Sequence, residues 1–332
     1  MTLVAACRSR LIQLAGSARR FGGCLVALAI VTGGVADAQE KKIPQPTTEV
    51  LSTTDGVGIV CTYFPGTQGK ESVPVVLLHE HKKTRRDLES LGKKLQEVIG
   101  AAVIIPDLRG HGDSTVQTGV AKKLDATLFR KPTDFQPMVE KDLAAVKLFL
   151  LRKNNANELN IDKLAVVGVQ MGATIGTSWG QVDWLAPVYL QGKTGQFVKS
   201  LVLISPQPTY QGINLNTVIS VPSPDPIKMG VFRQQVSVMV ICGENDIKAK
   251  NDATSILNTF EKGRSKLELE SADPAEKTVF KEFADTKLQG TSLLGEASLN
   301  FELKIVAFIK FRNADRPYVW EIRKDTQGQP YK

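Results

Sequence analysis

The sequence predicts an α/β fold in which helices cover both faces of a mostly parallel sheet. Two observations support this prediction. Apolar runs of strand length alternate with segments of helical spacing, and several of the runs are apolar on both faces, as in buried parallel strands. The alternation predicts crossover connections between parallel strands. The 332 residues, 42% of them hydrophobic, are sufficient for one large core.

Each element follows from its own residue pattern. The run 73–79 is apolar almost throughout, which is typical of a strand buried on both faces. Leu88, Leu91, Leu95 and Val98 lie at helical spacing, so they are expected on the buried face of one helix. The predicted strands cover residues 57–64, 73–79, 101–106, 163–169, 199–204 and 236–242. The predicted helices cover residues 84–98, 138–152, 249–260 and 298–312, and another helix begins at 171. No internal repeat is present.

The first 38 residues have the layout of a secretory signal peptide. Four arginines within residues 8–20 precede an apolar stretch over 21–35, and Ala36-Asp37-Ala38 forms a small-x-small cleavage site. We therefore expect an exported protein, periplasmic or secreted, with no transmembrane segment after cleavage. The alternative is an uncleaved N-terminal anchor, because signal peptides and short anchors overlap in length.

The remaining chain is expected to have a linker over 39–49, a folded domain over 50–312 and a polar tail over 313–332. Loss of the leader removes four arginines and one aspartate, which lowers the net charge from +8 to +5. No basic run is interleaved with aromatic residues, so no nucleic-acid partner is expected. Beyond the leader only Cys61 and Cys242 remain. Both lie in strand-like apolar runs, which favours buried thiols over a disulfide.

The residues that follow each apolar run are the informative ones, because sites in open parallel sheets form at the carboxyl ends of strands. Four such places stand out: Leu78-His79-Glu80-His81, Asp107-Leu108-Arg109-Gly110-His111-Gly112-Asp113-Ser114, Gly168-Val169-Gln170-Met171-Gly172 and Gly243-Glu244-Asn245-Asp246.

These four motifs, in this order, resemble those of the α/β-hydrolase superfamily, and the chain resembles a divergent, exported, bacterial-type member. Residues 107–114 reproduce the family's Asp-x-Arg-Gly-His-Gly-x-Ser segment, the most specific of the four matches. Gly168 and Gly172 are the glycines of a Gly-x-Ser-x-Gly nucleophile elbow. The resemblance covers roughly residues 50–312. It implies an α/β-hydrolase fold; the segment 206–235 is too short for a large lid.

The chain departs from the family at the catalytic triad. Gln170 stands at the nucleophile position, and a carboxamide has no proton whose removal gives a useful nucleophile. No histidine follows the elbow, and Gln289 stands where the resemblance places the histidine. Asp246 matches the acid, yet without a histidine we expect it to be a loop cap. The triad-equivalent residues are therefore Gln170, Asp246 and Gln289.

The oxyanion hole also departs from the family pattern. The resemblance places its donors at the main-chain N–H groups of Met171 and of a residue near His81. The family's glycine after His79 is replaced by Glu80, whose carboxylate would disfavour a developing oxyanion.

These departures predict a catalytically inactive pseudohydrolase that binds a small polar ligand or a protein partner. Carboxamides both donate and accept hydrogen bonds, so they suit a sugar or a peptide amide. The predicted ligand-binding residues are Gln170, Glu80, His81 and Gln289. No cofactor is expected.

Two catalytic alternatives stay open, both for ester or peptide hydrolysis. In the first, His79, His81 and His111 hold a metal, since imidazole suits zinc or a related ion. In the second, a displaced nucleophile such as Ser114 or Ser178 acts in a rearranged triad.

Overall fold

The computed structural model describes residues 43–190, 192–221, 232–273 and 275–332. The expected signal peptide over 1–38 and the first residues of the expected linker lie outside the described residues. In the part of the chain that is described, no helix is both long enough and apolar enough to cross a membrane.

A central eight-stranded sheet carries the fold. Its spatial order is β1-β2-β4-β3-β5-β6-β7-β8. The strands from β3 to β8 pair in parallel with one another, whereas β2 is antiparallel to both of its neighbours. The mostly parallel sheet predicted from the sequence is therefore confirmed. The strands are β1 (Thr47–Ser52), β2 (Gly58–Phe64), β3 (Pro74–Leu78), β4 (Ala102–Pro106), β5 (Leu164–Val169), β6 (Val198–Ile204), β7 (Ser237–Gly243) and β8 (Val279–Ala284).

Helices cover both faces of this sheet. The apolar cores on the two faces are built by α3, α4 and α7 on one side and by α1 and α10 on the other. The helices are α1 (Glu89–Ile99), α2 (Pro132–Pro137), α3 (Leu143–Asn155), α4 (Met171–Leu185), α5 (Leu215–Ser220), α6 (Phe232–Gln235), α7 (Ile247–Glu261), α8 (Lys266–Glu270), α9 (Thr291–Gly295) and α10 (Phe301–Ile309). π-helical turns over Met138–Asp142 and Lys310–Ala314 adjoin α3 and α10. No described segment forms a large lid.

One predicted core residue is on the wrong face. Leu88, Leu91 and Leu95 are buried as expected, but Val98 is 58% exposed and Ile99 takes its place in the core. At 100° per residue, position 99 returns to the direction of position 88, whereas position 98 lies about 80° away from it.

The sequence pattern missed both edge strands. β1 begins at Thr47, so residues 47–49 belong to the sheet and not to the expected linker. β1 alternates exposed and half-buried side chains, and β8 has one fully buried position, Val279. Edge strands lack the continuous apolar run that identified the inner strands.

The C-terminal segment lies against the domain. The Asn313 side chain is fully buried, donates to the carbonyl of Lys163 and accepts a hydrogen bond from Ser200. The Asn155 side chain bonds the main chain at Arg323 and Tyr331. The hydrogen bonds of these two asparagine side chains hold the tail at the end of the sheet where the parallel strands begin.

Cys61 and Cys242 are buried and free, as expected. They lie in β2 and β7, with four strands between them. At about 4.8 Å per strand, that separation is far beyond the reach of a disulfide.

Candidate functional site

A strained turn joins β5 to α4 at Gln170. This residue has φ 46° and ψ −104°, a backbone conformation that L-residues rarely adopt. The turn requires glycines on either side of it. A β-carbon on Gly168 would lie 2.3 Å from the carbonyl oxygen of Gly172, and one on Gly172 would lie 2.3 Å from that of Leu78. The geometry of a nucleophile elbow is therefore intact, although its side chain is a carboxamide.

A pocket of about 270 Å³ opens beside this turn, at the carboxyl ends of β5, β6 and β7. It brings together the three residues that the sequence placed at triad-equivalent positions, Gln170, Asp246 and Gln289. Glu80 and His81, predicted as ligand-binding residues, do not line it. Its lining residues are Gln170, Ser205, Pro206, Gln207, Asp246, Lys248, Ala249, Asp252 and Gln289.

Both the oxygen and the nitrogen of the Gln289 carboxamide are hydrogen-bonded to the protein. Its Oε1 accepts a hydrogen bond of 2.7 Å from the hydroxyl of Ser205, and its Nε2 donates one of 2.7 Å to the carbonyl of Gly243. The Ser205 hydroxyl also accepts from the main-chain N–H of Gly290. Gln289 therefore ties the loop before α9 to the ends of β6 and β7, and it is not poised to act as a base.

Asp246 acts as the N-cap of α7. Its Oδ1 accepts a hydrogen bond of 3.0 Å from the N–H of Ala249, which satisfies one of the unpaired donors at the start of that helix. In the described part of the chain its second oxygen has no hydrogen bond and the residue has no ion pair. Asp246, which lines the pocket, is thus the cap of α7 with one oxygen that has no partner in the described protein, and the expectation of a loop cap is confirmed.

The side chain of Gln170 differs from that of Gln289. It is half-buried and lines the pocket, and among the described residues its carboxamide makes no hydrogen bond with the protein. Its main-chain N–H is bonded to the carbonyl of Ile204, so the backbone is held while the side chain stays available. The carboxamide at the elbow therefore keeps a donor and an acceptor that have no partner in the described protein.

Glu80 lies close to Gln170 but does not line the pocket. It is 9% exposed, and its Oε1 accepts a hydrogen bond of 2.6 Å from the hydroxyl of Thr291. A β-carbon on Gly290 would lie 2.3 Å from Oε2 of Glu80 and 2.9 Å from Nε2 of Gln170. The carboxylate therefore fills the space next to the elbow, where it opposes the formation of an oxyanion.

Two main-chain groups carry the expected oxyanion-hole positions. Met171 is the first residue of α4, and a first helical residue has no acceptor for its N–H in a preceding turn. His81 follows Glu80 at the end of β3 and is half-buried. The carboxylate of Glu80 lies close to Gln170 of the elbow, between these two positions in sequence.

The three histidines form a chain of contacts. Nε2 of His79 accepts a hydrogen bond from the N–H of Leu108, so its Nδ1 carries the proton and donates to the carbonyl of Glu80 at 2.8 Å. Nδ1 of His111 is hydrogen-bonded to the carbonyl of Arg109. Its Nε2 is hydrogen-bonded to Nδ1 of His81 at a distance of 3.3 Å. Burial lowers the pKa of His79 and of His81, and it lowers the pKa of His111 to about 3, so the rings stay neutral.

These contacts leave few nitrogens for a metal. Both nitrogens of His79 and both of His111 are already bonded within the protein, which leaves Nε2 of His81. Across the described ranges, no group of three or more histidine, cysteine, aspartate or glutamate residues is arranged to hold a metal ion. The donor geometry argues against the metal alternative.

The segment 107–114 has a structural role. Asp107 pairs with Arg85 and accepts hydrogen bonds from two main-chain N–H groups. Arg109 bridges Asp142 and Asp55, and its guanidinium holds the pKa of Asp55 well below its usual range. These buried ion pairs hold the loop after β4 against its neighbours.

The two serines considered as displaced nucleophiles are buried away from the pocket. Ser114 is fully buried, and its hydroxyl accepts a hydrogen bond from the N–H of Val60. Ser178 is in the middle of α4, and its buried hydroxyl has no partner among the described residues. Neither has a histidine within hydrogen-bonding distance, so neither has a base.

Ser205 is the site residue that the sequence pattern missed. It has φ 49° and stands directly after β6, so it occupies a strand end like the four motifs that were singled out. That position was the available signal. Its structural importance comes from Gln289 and Gly290, which are more than 80 residues away along the chain.

Comparison with known proteins shows the fold of the chain. The sequence matches no protein-family model and no curated protein. The fold is similar to an esterase of Pyrobaculum calidifontis (TM-score 0.54, 13% identity, covering 81% of this chain and 86% of that one). It is also similar to a dienelactone hydrolase of Anabaena variabilis (0.53, 12%, 82% and 100%) and an esterase of Pyrococcus furiosus (0.52, 14%, 81% and 91%). The chain therefore has the α/β-hydrolase fold.

Proposed function

We propose that this protein is a pseudohydrolase that binds a small polar ligand in the pocket at the elbow. The proposal rests on the backbone conformation of Gln170 and on the free hydrogen-bonding groups of its side chain. Its strained backbone is retained, its carboxamide has no protein partner in the described chain, and it faces a pocket. Such strain is kept where the surrounding structure and a function require it.

The chemistry of the site supports binding over hydrolysis. Covalent acyl transfer needs a nucleophile and a base, and the two positions hold carboxamides. Gln289 is engaged at both ends, and Asp246 caps a helix. The buried carboxylate of Glu80 beside the elbow disfavours a negatively charged intermediate. The esterases and the dienelactone hydrolase share the fold with this chain, and fold alone does not carry their activity over.

The experiment that tests inactivity is direct. The purified protein is expected to leave short-chain p-nitrophenyl esters and a dienelactone unhydrolysed above the buffer rate, and to resist labelling by a fluorophosphonate probe. Hydrolysis that disappears in Gln170→Ala would refute the proposal.

Binding is tested by a ligand screen with two variants. Small polar compounds are screened by saturation-transfer NMR, and each hit is repeated on Gln170→Ala and on Gln327→Ala. Gln327 is an exposed tail glutamine away from the pocket, so it is the matched control. We expect hits to be lost in Gln170→Ala alone. Equal binding by both variants would show that Gln170 does not contribute to ligand binding.

Export remains part of the proposal. The basic region, the apolar stretch and the small-x-small site within residues 1–38 support it.

A further inference from the structure

We infer that the pocket at the elbow selects a small ligand that carries a primary ammonium group. The inference rests on the proposed binding function and adds the charge of the ligand. It follows from which polar groups around Gln170 are already satisfied by the protein and which are left over.

Most of the polar groups in the pocket are satisfied. Ser205 and Gln289 bond one another and the neighbouring main chain. Lys248 and Asp252 form an ion pair one turn apart on α7, so each neutralises the other. None of these four needs a ligand to complete its bonding.

The groups left over are acceptors and carboxamides. The second oxygen of Asp246 has no partner in the described chain, and Asp246 has no ion pair there. The carboxamides of Gln170 and Gln207 also make no hydrogen bond with the described protein. A ligand with several N–H or O–H donors fits this set. An ammonium group also supplies the positive partner that Asp246 does not find in the described protein.

Glu80 is a second carboxylate near Gln170 that has no ion pair in the described structure, and it adds to the negative charge around the elbow. Glu80 is 91% buried, its Oε2 has no hydrogen bond in the described structure, and that oxygen lies beside Nε2 of Gln170. Asp246 therefore lines the pocket together with Gln170, and the carboxylate of Glu80 lies close to Gln170 outside the pocket lining.

This charge distribution opposes the ligands that an esterase site favours. A carboxylate, a phosphate or an oxyanion would meet the negative charge of Asp246 in a partly desolvated pocket, whereas a cation would neutralise that charge. The pocket volume of about 270 Å³ is at the small end for ligand sites, so the ligand has the size of a monosaccharide or an amino-acid amide.

The experiment compares probes that differ in the amine alone. D-glucosamine is compared with D-glucose and N-acetyl-D-glucosamine, and L-alaninamide with N-acetyl-L-alaninamide, by saturation-transfer NMR and calorimetry at neutral pH. We expect the amine of at least one series to bind about tenfold tighter than its neutral partners, and added salt to weaken that binding.

Two variants locate the effect. Asp246→Asn removes the charge and keeps a side chain that caps α7 equally well, so the amine preference should fall by about tenfold without unfolding. Asp325→Asn, at an aspartate whose Oδ1 accepts from the main-chain N–H groups of Gln327 and Gln329 in a turn of the tail, is the matched control and should change nothing. Gln170→Ala should abolish binding of every probe.

The outcomes separate the two proposals. Equal binding of amine and neutral probes, unchanged in Asp246→Asn but lost in Gln170→Ala, overturns the ammonium inference and leaves ligand binding at the elbow intact. Amine-selective binding that survives Gln170→Ala contradicts the proposed role of Gln170. Absence of binding by the amines of both series also overturns the inference.

Discussion

Replacing Gln170 with glycine is expected to stabilise the protein while it removes ligand binding. Gln170 has φ 46° and ψ −104°, and a non-glycine residue held in such a region costs about 1–3 kcal/mol. Glycine removes that strain, but it loses about 0.5–1 kcal/mol more than alanine through chain entropy on folding. The lost side chain is half-buried and makes no hydrogen bond in the described structure, so few contacts disappear.

The net effect worked from these terms is a gain of about 1 kcal/mol in the free energy of unfolding. In a domain of this size it corresponds to a rise of about 2–4 °C in Tm. Urea unfolding and calorimetry measure the two quantities. The control is Gln327→Gly, an exposed position without positive φ, where we expect a loss of about 0.5–1 kcal/mol.

The reasoning fails if Gln170→Gly is less stable than the wild-type protein, or if it loses as much stability as Gln327→Gly. Either result would mean that the elbow stores no strain at this residue. A gain in stability together with retained ligand binding would separate the strain from the function.

Four further predictions concern other parts of the molecule. Gly172→Ala should destabilise the protein by about 3 kcal/mol, because the added carbon meets the main chain at 2.3 Å, while Gly295→Ala, with open space around it, should change the unfolding free energy little. Stability should fall as the pH drops from about 6.5 toward 3, because His111 stays neutral when folded and takes up a proton when unfolded; urea unfolding at several pH values should show a shallower fall in His111→Asn. Asn155→Ala should cost about 2 kcal/mol, because it leaves three partly buried main-chain groups of the tail without their hydrogen bonds, and limited proteolysis should then release the tail. N-terminal sequencing of the exported protein should begin at Gln39, and a start at Met1 would favour the anchor.

The sequence by itself determined the inner strands of the sheet and the position of the elbow. The inner strands are buried on both faces, so they are apolar at nearly every position, and this signal is local. Gly168 and Gly172 mark the elbow for a local reason as well, since any β-carbon there meets main-chain atoms. The identity of Gln170 then excludes a serine nucleophile at the elbow itself.

The tertiary structure decided how the two glutamines differ. Nothing in the segment around Gln289 shows that its carboxamide is bonded to Ser205 and Gly243, because those partners are 84 and 46 residues away in sequence. The same limit applies to Glu80, whose sequence position gave no indication that Thr291 binds its carboxylate from 211 residues away. Hydrogen bonds between distant strand ends depend on the closed fold, so the free carboxamide at the elbow could be recognised only after the chain had brought those ends together.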